Sequence, residues 1–231
     1  VIFDERPARA LAIFAHPDDP EVACAGTLAA WVAAGCETHL VIANAGDKGR
    51  GSDPQALASA RKTEAQEASQ VLGLASLDLL EYPDGELENT SALRAQLIGL
   101  LRSLRPDVVI APDPTAVFFG DSYVNHHDHR ALGWAVLDII GSMAAGALYV
   151  PEAGPPHQVS TLLLAGTLEP DTWVDIAASL DKKLAALRCH ASQLDGGDDV
   201  VADLMEARAA DAGRAAGVRY AEGFRRLSFR S

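Results

Sequence analysis

The sequence is poor in cysteine and in positive charge, and it has no long apolar run. Each shortage excludes something. Cys24, Cys36 and Cys189 are odd in number and nowhere spaced as C-x-x-C, so neither a disulfide framework nor a thiolate zinc site is expected, and all three read as reduced, partly buried thiols. No apolar stretch reaches the roughly eighteen residues that a membrane-spanning helix needs, and the opening residues lack the charged, apolar and small-residue order of a secretory leader. The expectation is a soluble, cytoplasmic protein with no membrane span. Lysine and arginine number 19 against 32 aspartates and glutamates, a formal charge of −13 that repels phosphate backbones and argues against nucleic acid as a partner. Also missing are internal repeats, the G-x-G-x-x-G and Walker patterns of nucleotide sites, and the G-x-S-x-G elbow of serine hydrolases. The glycine-rich stretch "NAGDKGRGSDP" is therefore expected to line a pocket rather than to cradle a nucleotide. Ser192, beside His190 in "CHASQ", is not expected to be a nucleophile.

What is present fits a globular α/β protein. With 231 residues, 48% of them apolar and 22% charged, the chain can bury a sizeable core as one domain spanning residues 1–231. Apolar runs of strand length recur at residues 10–15, 39–43, 77–80, 108–111 and 161–165, with stretches of helical periodicity between them. That alternation predicts a Rossmann-like three-layer fold, a mostly parallel sheet with helices on both faces. Helices are expected over residues 21–34, closed by Gly35, over 56–72, closed by Gly73, and over 91–104, stopped by Pro106. Asp19 is expected to cap the first of these, with Pro20 at its first position. Residues 46–54, 83–88, 112–125 and 151–157 read as loops, and about the last seventy residues as an appendage to the sheet.

The first apolar run ends in "AHPDDPE", which crowds His16, Asp18 and Asp19 together. His16 is expected at the carboxyl end of a strand, where open α/β sheets bind their ligands. Imidazole and carboxylate form a donor set that suits zinc and other divalent first-row metals. His16 and Asp19 can supply two ligands across a strand-to-helix turn that Pro17 helps to fix, leaving Asp18 free. A third ligand must come from far along the chain. "NHHDHR" is the obvious source, since His126, His127 and His129 are three of the seven histidines and follow the loop after the fourth strand, at the same edge of the sheet. His126 and His129, at i and i+3, share a face if a helix begins there, whereas His127 points elsewhere.

At this point the sequence resembles a known family, the LmbE-like or PIG-L-like zinc-dependent de-N-acetylases. The resemblance rests on "AHPDDPEVACAGT", "RKTEAQEASQVLG", "YPDGEL", "RPDVVIAP", "HHDH", "KKLAALRCHASQ" and "AGVRYAEGF", in the family's order, and covers roughly residues 10–224. The "DDPE" spacing and the "GVRYAEGF" ending look most like the branch that deacetylates N-acetylglucosamine conjugates, bacillithiol-type enzymes included. The resemblance implies a metal-dependent N-deacetylase acting on linear amide bonds, with a small amino-sugar conjugate as substrate. Position by position it implies His16, Asp19 and His129 as ligands of Zn2+ or another divalent ion, and Asp18 as general base. It further implies that His126 stabilises the oxyanion or protonates the leaving group with Asp128 as its partner, that Tyr220 lies near the oxyanion, and that Arg61 and Asp47 touch substrate.

Asn125, His127, Ala23 and Asp47 depart from the family's usual arginine, proline, glycine and glutamate, and they bear on the substrate rather than on the metal. A zinc amidase acting on thiol-sugar conjugates would share every metal residue. A non-catalytic sugar-binding protein of the same fold is a further alternative, although it has no use for an unligated Asp18. His39 and His157 read as ordinary residues, and His190 as packing near the pocket or purely structural. Loops at such a sheet edge invite subunit contacts, so a homo-oligomer is compatible with this reading.

Overall fold

The computed structural model describes residues 1–49, 53–194 and 198–229, so residues 50–52 of the glycine-rich loop lie outside the described residues. The chain begins with β1 (Arg9–Phe14), α1 (Asp19–Ala23), α2 (Ala25–Ala33), β2 (Glu37–Asn44), α3 (Pro54–Leu72) and β3 (Ser76–Tyr82). It continues through α4 (Ser91–Leu104), β4 (Val108–Pro112), the short pair β5 (Phe118–Phe119) and β6 (Tyr123–Val124), and α5 (His127–Asp138). It ends with β7 (Thr161–Ala165), β8 (Thr172–Asp175), α6 (Leu180–Arg188), α7 (Asp198–Ala216) and β9 (Ala221–Ser228). The sheet runs β3-β2-β1-β4-β7-β9-β8. Strands β3, β2, β1, β4 and β7 are mutually parallel, and β9 lies antiparallel to both of its neighbours.

Strand β1 shows why the layers form. Its side chains alternate faces: Ala10, Ala12 and Phe14 enter one apolar cluster with Leu28 and Trp31 of α2, Leu184 of α6 and Met205 of α7. Leu11 and Ile13 enter the other, with Leu97 and Leu101 of α4 and Leu132 and Val136 of α5. A strand apolar on both sides needs helices on both sides. Helix α3 lies further out, its Ala68 and Leu72 packing on small residues of α2 and α6. Cys24 and Cys36 are buried and unpaired as expected, and Cys189 is half-buried. Among the described residues no helix is long and apolar enough to cross a membrane.

Three details differ from the sequence reading. The helix expected over 21–34 is broken at Cys24, where φ is −153°. Asp18, not Asp19, is its cap residue, which leaves the Asp19 carboxylate free for other work. The last third of the chain is no appendage, because β9 inserts between β7 and β8 and pairs Phe224 with Ala165.

The break at Cys24 is held from a distance. Glu222, at the start of β9, accepts the Gly26 and Thr27 N–H groups at 3.0 and 2.7 Å, satisfying donors that open the new helix α2. Lys183 of α6 neutralises Glu222 at 2.5 Å and also donates to the Val22 carbonyl at 3.2 Å. Both side chains are buried, Lys183 to 2% and Glu222 to 5% exposure, so removing one partner strands a charge in the core. Glu222→Gln is expected to cost about 3–5 kcal/mol, read as a lower midpoint in urea unfolding. The double variant Glu222→Gln with Lys183→Met should recover part of that loss.

Candidate metal centre

Between β1 and β4 the strand order reverses direction, and their following connections diverge to leave a crevice at the carboxyl edge. Both histidine-bearing segments meet there. From β1 the chain turns through His16 and Asp18 into α1. From β4 it returns through the β5–β6 hairpin to the first turn of α5, with His126 as its cap residue. Gly133 lets α5 approach, since a Cβ there would stand 2.5 Å from the Pro112 carbonyl oxygen.

His16, Asp19 and His129 converge so that one donor atom of each lies within 4.8 Å of the others. His16 Nδ1 is 3.0 Å from His129 Nε2, which is 3.0 Å from Asp19 Oδ1. The remaining ring nitrogens are spoken for. His129 Nδ1 faces Asn125 Oδ1 at 2.9 Å, and because the Asn125 amide group donates to the Ala116 carbonyl, the ring must be the donor. His16 Nε2 faces Asp84 Oδ1 at 3.2 Å and Asp128 Oδ2 at 3.6 Å. Carboxylate or amide acceptors behind both imidazoles turn their other nitrogens toward one point, as metal sites require. Two imidazoles and a carboxylate with an open side fit a divalent ion such as zinc in a catalytic site. His16, Asp84 and His126 form a second close group, but Asp84 is engaged by the Lys48 N–H as well as by His16.

Charge agrees with geometry. Burial opposes a charge on His16, yet Asp19, Asp128 and Asp84 outweigh it and push its pKa up to about 12. Loss of solvent also opposes the charge on half-buried Asp19, yet His129 and His16 hold it well below the carboxylate range. The bond from His16 brings Asp84 down to about 2 against its own burial. Where a proton is held this strongly, a divalent cation can take its place on neutral imidazole.

The other expected residues divide. Asp18 lies beside this group and pairs through Oδ1 with Nη2 of Arg61. Arg61 is not open to substrate: it is buried, and its Nη1 also donates to the Gly46 carbonyl at 3.0 Å. Gly46 adopts φ +63°, and a Cβ there would lie 2.2 Å from Arg61 Nη1, so only glycine admits the arginine. Asp128 is fully buried, but its carboxylate serves Asn44 Nδ2, the Gly85 and Leu87 N–H groups and His16. It is its backbone N–H that meets His126, donating to Nδ1 at 3.2 Å. Tyr220 gives its hydroxyl to Glu206 of α7 at 2.6 Å, which turns it to that helix rather than to the imidazoles. Asp47 is half-buried in the turn after β2, and His127 is exposed. Ser192 is bonded to Glu64, and His190 is wholly buried against Glu21 at 3.1 Å.

Asp18, Asp19 and His129 open onto a cavity of about 580 Å³ whose walls include Phe14, Phe119, Tyr123 and Arg208. The GlcNAc-PI de-N-acetylase family model, PIG-L, matches residues 11–140, more than half of the chain and both histidine-bearing segments. The chain belongs to the PIG-L family. This PIG-L chain is 28% identical to the diacetylchitobiose deacetylase of Thermococcus kodakarensis over 94% of its own length and 82% of that protein. It is also 28% identical to a probable N-acetyl-alpha-D-glucosaminyl L-malate deacetylase of Bacillus anthracis, over 79% and 80% of the two chains. Among solved structures it superposes on the N,N'-diacetylchitobiose deacetylase of Pyrococcus horikoshii with a TM-score of 0.87 and 29% identity, over 96% and 84% of the two chains.

Sequence reasoning assigned no role to Asp84 or Asn44 and treated Asn125 only as a departure. The available signal was positional: Asn44 ends β2, Asp84 lies two residues past β3 and Asn125 precedes α5, all at the carboxyl edge of the sheet in this PIG-L chain. Asn125→Ala removes the acceptor behind His129, and Asp84→Ala the acceptor behind His16. Each is expected to weaken metal binding by about 10- to 100-fold, measured by competition with a chromogenic chelator. Unchanged affinity in both would mean that the rings are held by packing alone.

Proposed function

We propose that this protein is a zinc-dependent N-deacetylase that releases acetate from an N-acetylated amino sugar of the N-acetylglucosamine type. The observation that carries this reading is the state of Asp18. It stands beside the three candidate ligands without being one of them, faces the cavity, and among the described residues is tied down through Oδ1 alone, which leaves Oδ2 to move a proton. A protein that only bound a sugar would gain nothing from such a carboxylate. The aromatic rings of Phe14, Phe119 and Tyr123 supply apolar faces suited to a pyranose ring. Relatives named for diacetylchitobiose and for an N-acetylglucosaminyl malate support the same substrate class.

His16, Asp19 and His129 would hold the zinc ion, which when bound supplies Lewis acidity and lowers the pKa of a water from that of bulk solvent to about 7. The remaining work falls to the chain. Asp18 Oδ2 takes the proton of the attacking water and returns it to nitrogen as the C–N bond breaks, so that amide and water become acetate and amine. His126 stands with its ring 4.6 Å from that of His16. Its Nδ1 accepts from the Asp128 N–H, so the neutral ring carries its proton on Nε2 and donates from there to the tetrahedral oxyanion. Burial, and then the positive charge of a protonated His16, hold His126 below the ordinary imidazole value, and a divalent ion on a neutral His16 would act in the same sense and favour that neutral donor. A donor so placed is worth about 3 kcal/mol in the transition state.

Elemental analysis and acetate release test the reading together. Wild type is expected to carry about one zinc per chain and to release acetate from N-acetylglucosaminides. His129→Ala should lose the metal. Asp18→Asn should keep it while kcat falls by about 10²- to 10⁴-fold. Zinc-loaded protein that releases no acetate, or an Asp18→Asn variant with wild-type turnover, would sink the proposal.

A further inference from the structure

Among the described residues two arginines come to this site, and they are in opposite states. Arg61 is buried and committed to Asp18 and the Gly46 carbonyl. Arg208 lines the cavity that Asp18, Asp19 and His129 open onto, and it is the one lysine or arginine among the described residues that does so. It is exposed, and no hydrogen bond or ion pair to another described residue engages its guanidinium. Its backbone is nevertheless fixed, because Met205 and Ala209 on the same helix are buried in the core at 4% exposure each.

The charge of the whole chain sharpens the contrast. A formal charge of −13 opposes the approach of any anion, and the ligand triad and Asp18 add carboxylates on the cavity floor. An anionic substrate is admitted only if a local cation meets it. A guanidinium does this well, since its fork of donors matches the oxygens of a carboxylate or phosphate.

We infer that Arg208 is a specificity residue that pairs with an anionic group on the part of the substrate beyond the acetylated sugar. The preferred substrate is then an N-acetylglucosaminide with a carboxylate or phosphate in its aglycone, rather than a neutral oligosaccharide. This inference rests on the deacetylase reading and selects within it. The two relatives named above bracket the choice, one being named for the neutral diacetylchitobiose and the other for a malate conjugate.

The test measures kcat and KM of zinc-loaded wild type, Arg208→Ala and Arg208→Lys on three substrates: N-acetylglucosaminyl malate, N-acetylglucosamine 1-phosphate and diacetylchitobiose. In wild type, kcat/KM should be higher for at least one anion than for diacetylchitobiose. In Arg208→Ala that preference should fall by about 10- to 100-fold through KM, with partial recovery in Arg208→Lys. The anion whose KM moves more identifies the group recognised. A wild type that prefers diacetylchitobiose, or a preference untouched in Arg208→Ala, overturns the assignment and leaves the deacetylase standing. Turnover of none of the three by wild type overturns both.

Discussion

Three carboxylates, those of Asp19, Asp84 and Asp128, converge on the single buried imidazole of His16, and the rest of the site is arranged around that convergence. Carboxylates this close repel one another unless a cation stands between them. Each is therefore tied to a different part of the fold. Asp128 is bonded to Asn44 at the end of β2 and to N–H groups following β3, while Asp84 takes the Lys48 N–H beyond β2. Charge compensation thus links β1, β2, β3 and α5 at the one edge where their carboxyl ends meet. The same arrangement leaves Asp18, the neighbour of Asp19, to be balanced separately, which is the work of Arg61.

Much of this was legible in the sequence because the signals were local. The two-sided apolar run of β1 could only be a buried strand, and a histidine followed by paired aspartates at its end is a costly composition unless something binds there. His126 and His129 declared a shared face by their spacing, and α5 begins where that spacing required. The parts that were not legible depend on partners distant in sequence. Nothing near Cys24 announces a helix break, since the groups that hold it are 196 and 195 residues away in Glu222. The family resemblance implied Arg61 as a substrate contact, and nothing local showed that the left-handed turn at Gly46 brings a carbonyl within its reach while Asp18 takes its other nitrogen. The family resemblance implied Asp128 as the partner of His126, whereas its carboxylate is bonded to Asn44 and to the Gly85 and Leu87 N–H groups and faces His16.

The site also separates two kinds of demand. The groups proposed to hold a metal and move a proton are buried or half-buried, mutually bonded and placed at the strand ends. Those proposed to meet the variable part of a substrate sit on the β5–β6 hairpin and on α7, elements that bring few bonds to the imidazole cluster. Such a division lets the outer wall change without disturbing the charge balance within.

The bond between Glu222 and the start of α2 has a consequence in time. A chain emerges from the ribosome from its amino end, so β1 and α1 are available to fold before β9. The donors at Gly26 and Thr27 nevertheless wait for a carboxylate carried on the strand that is synthesised almost two hundred residues later. Until β9 slots between β7 and β8, the turn bearing His16 and Asp19 lacks its rear support. Residues so far apart in sequence thus complete one another only when the sheet itself is complete, and a metal site built on His16 and Asp19 would gain its rear support at that point.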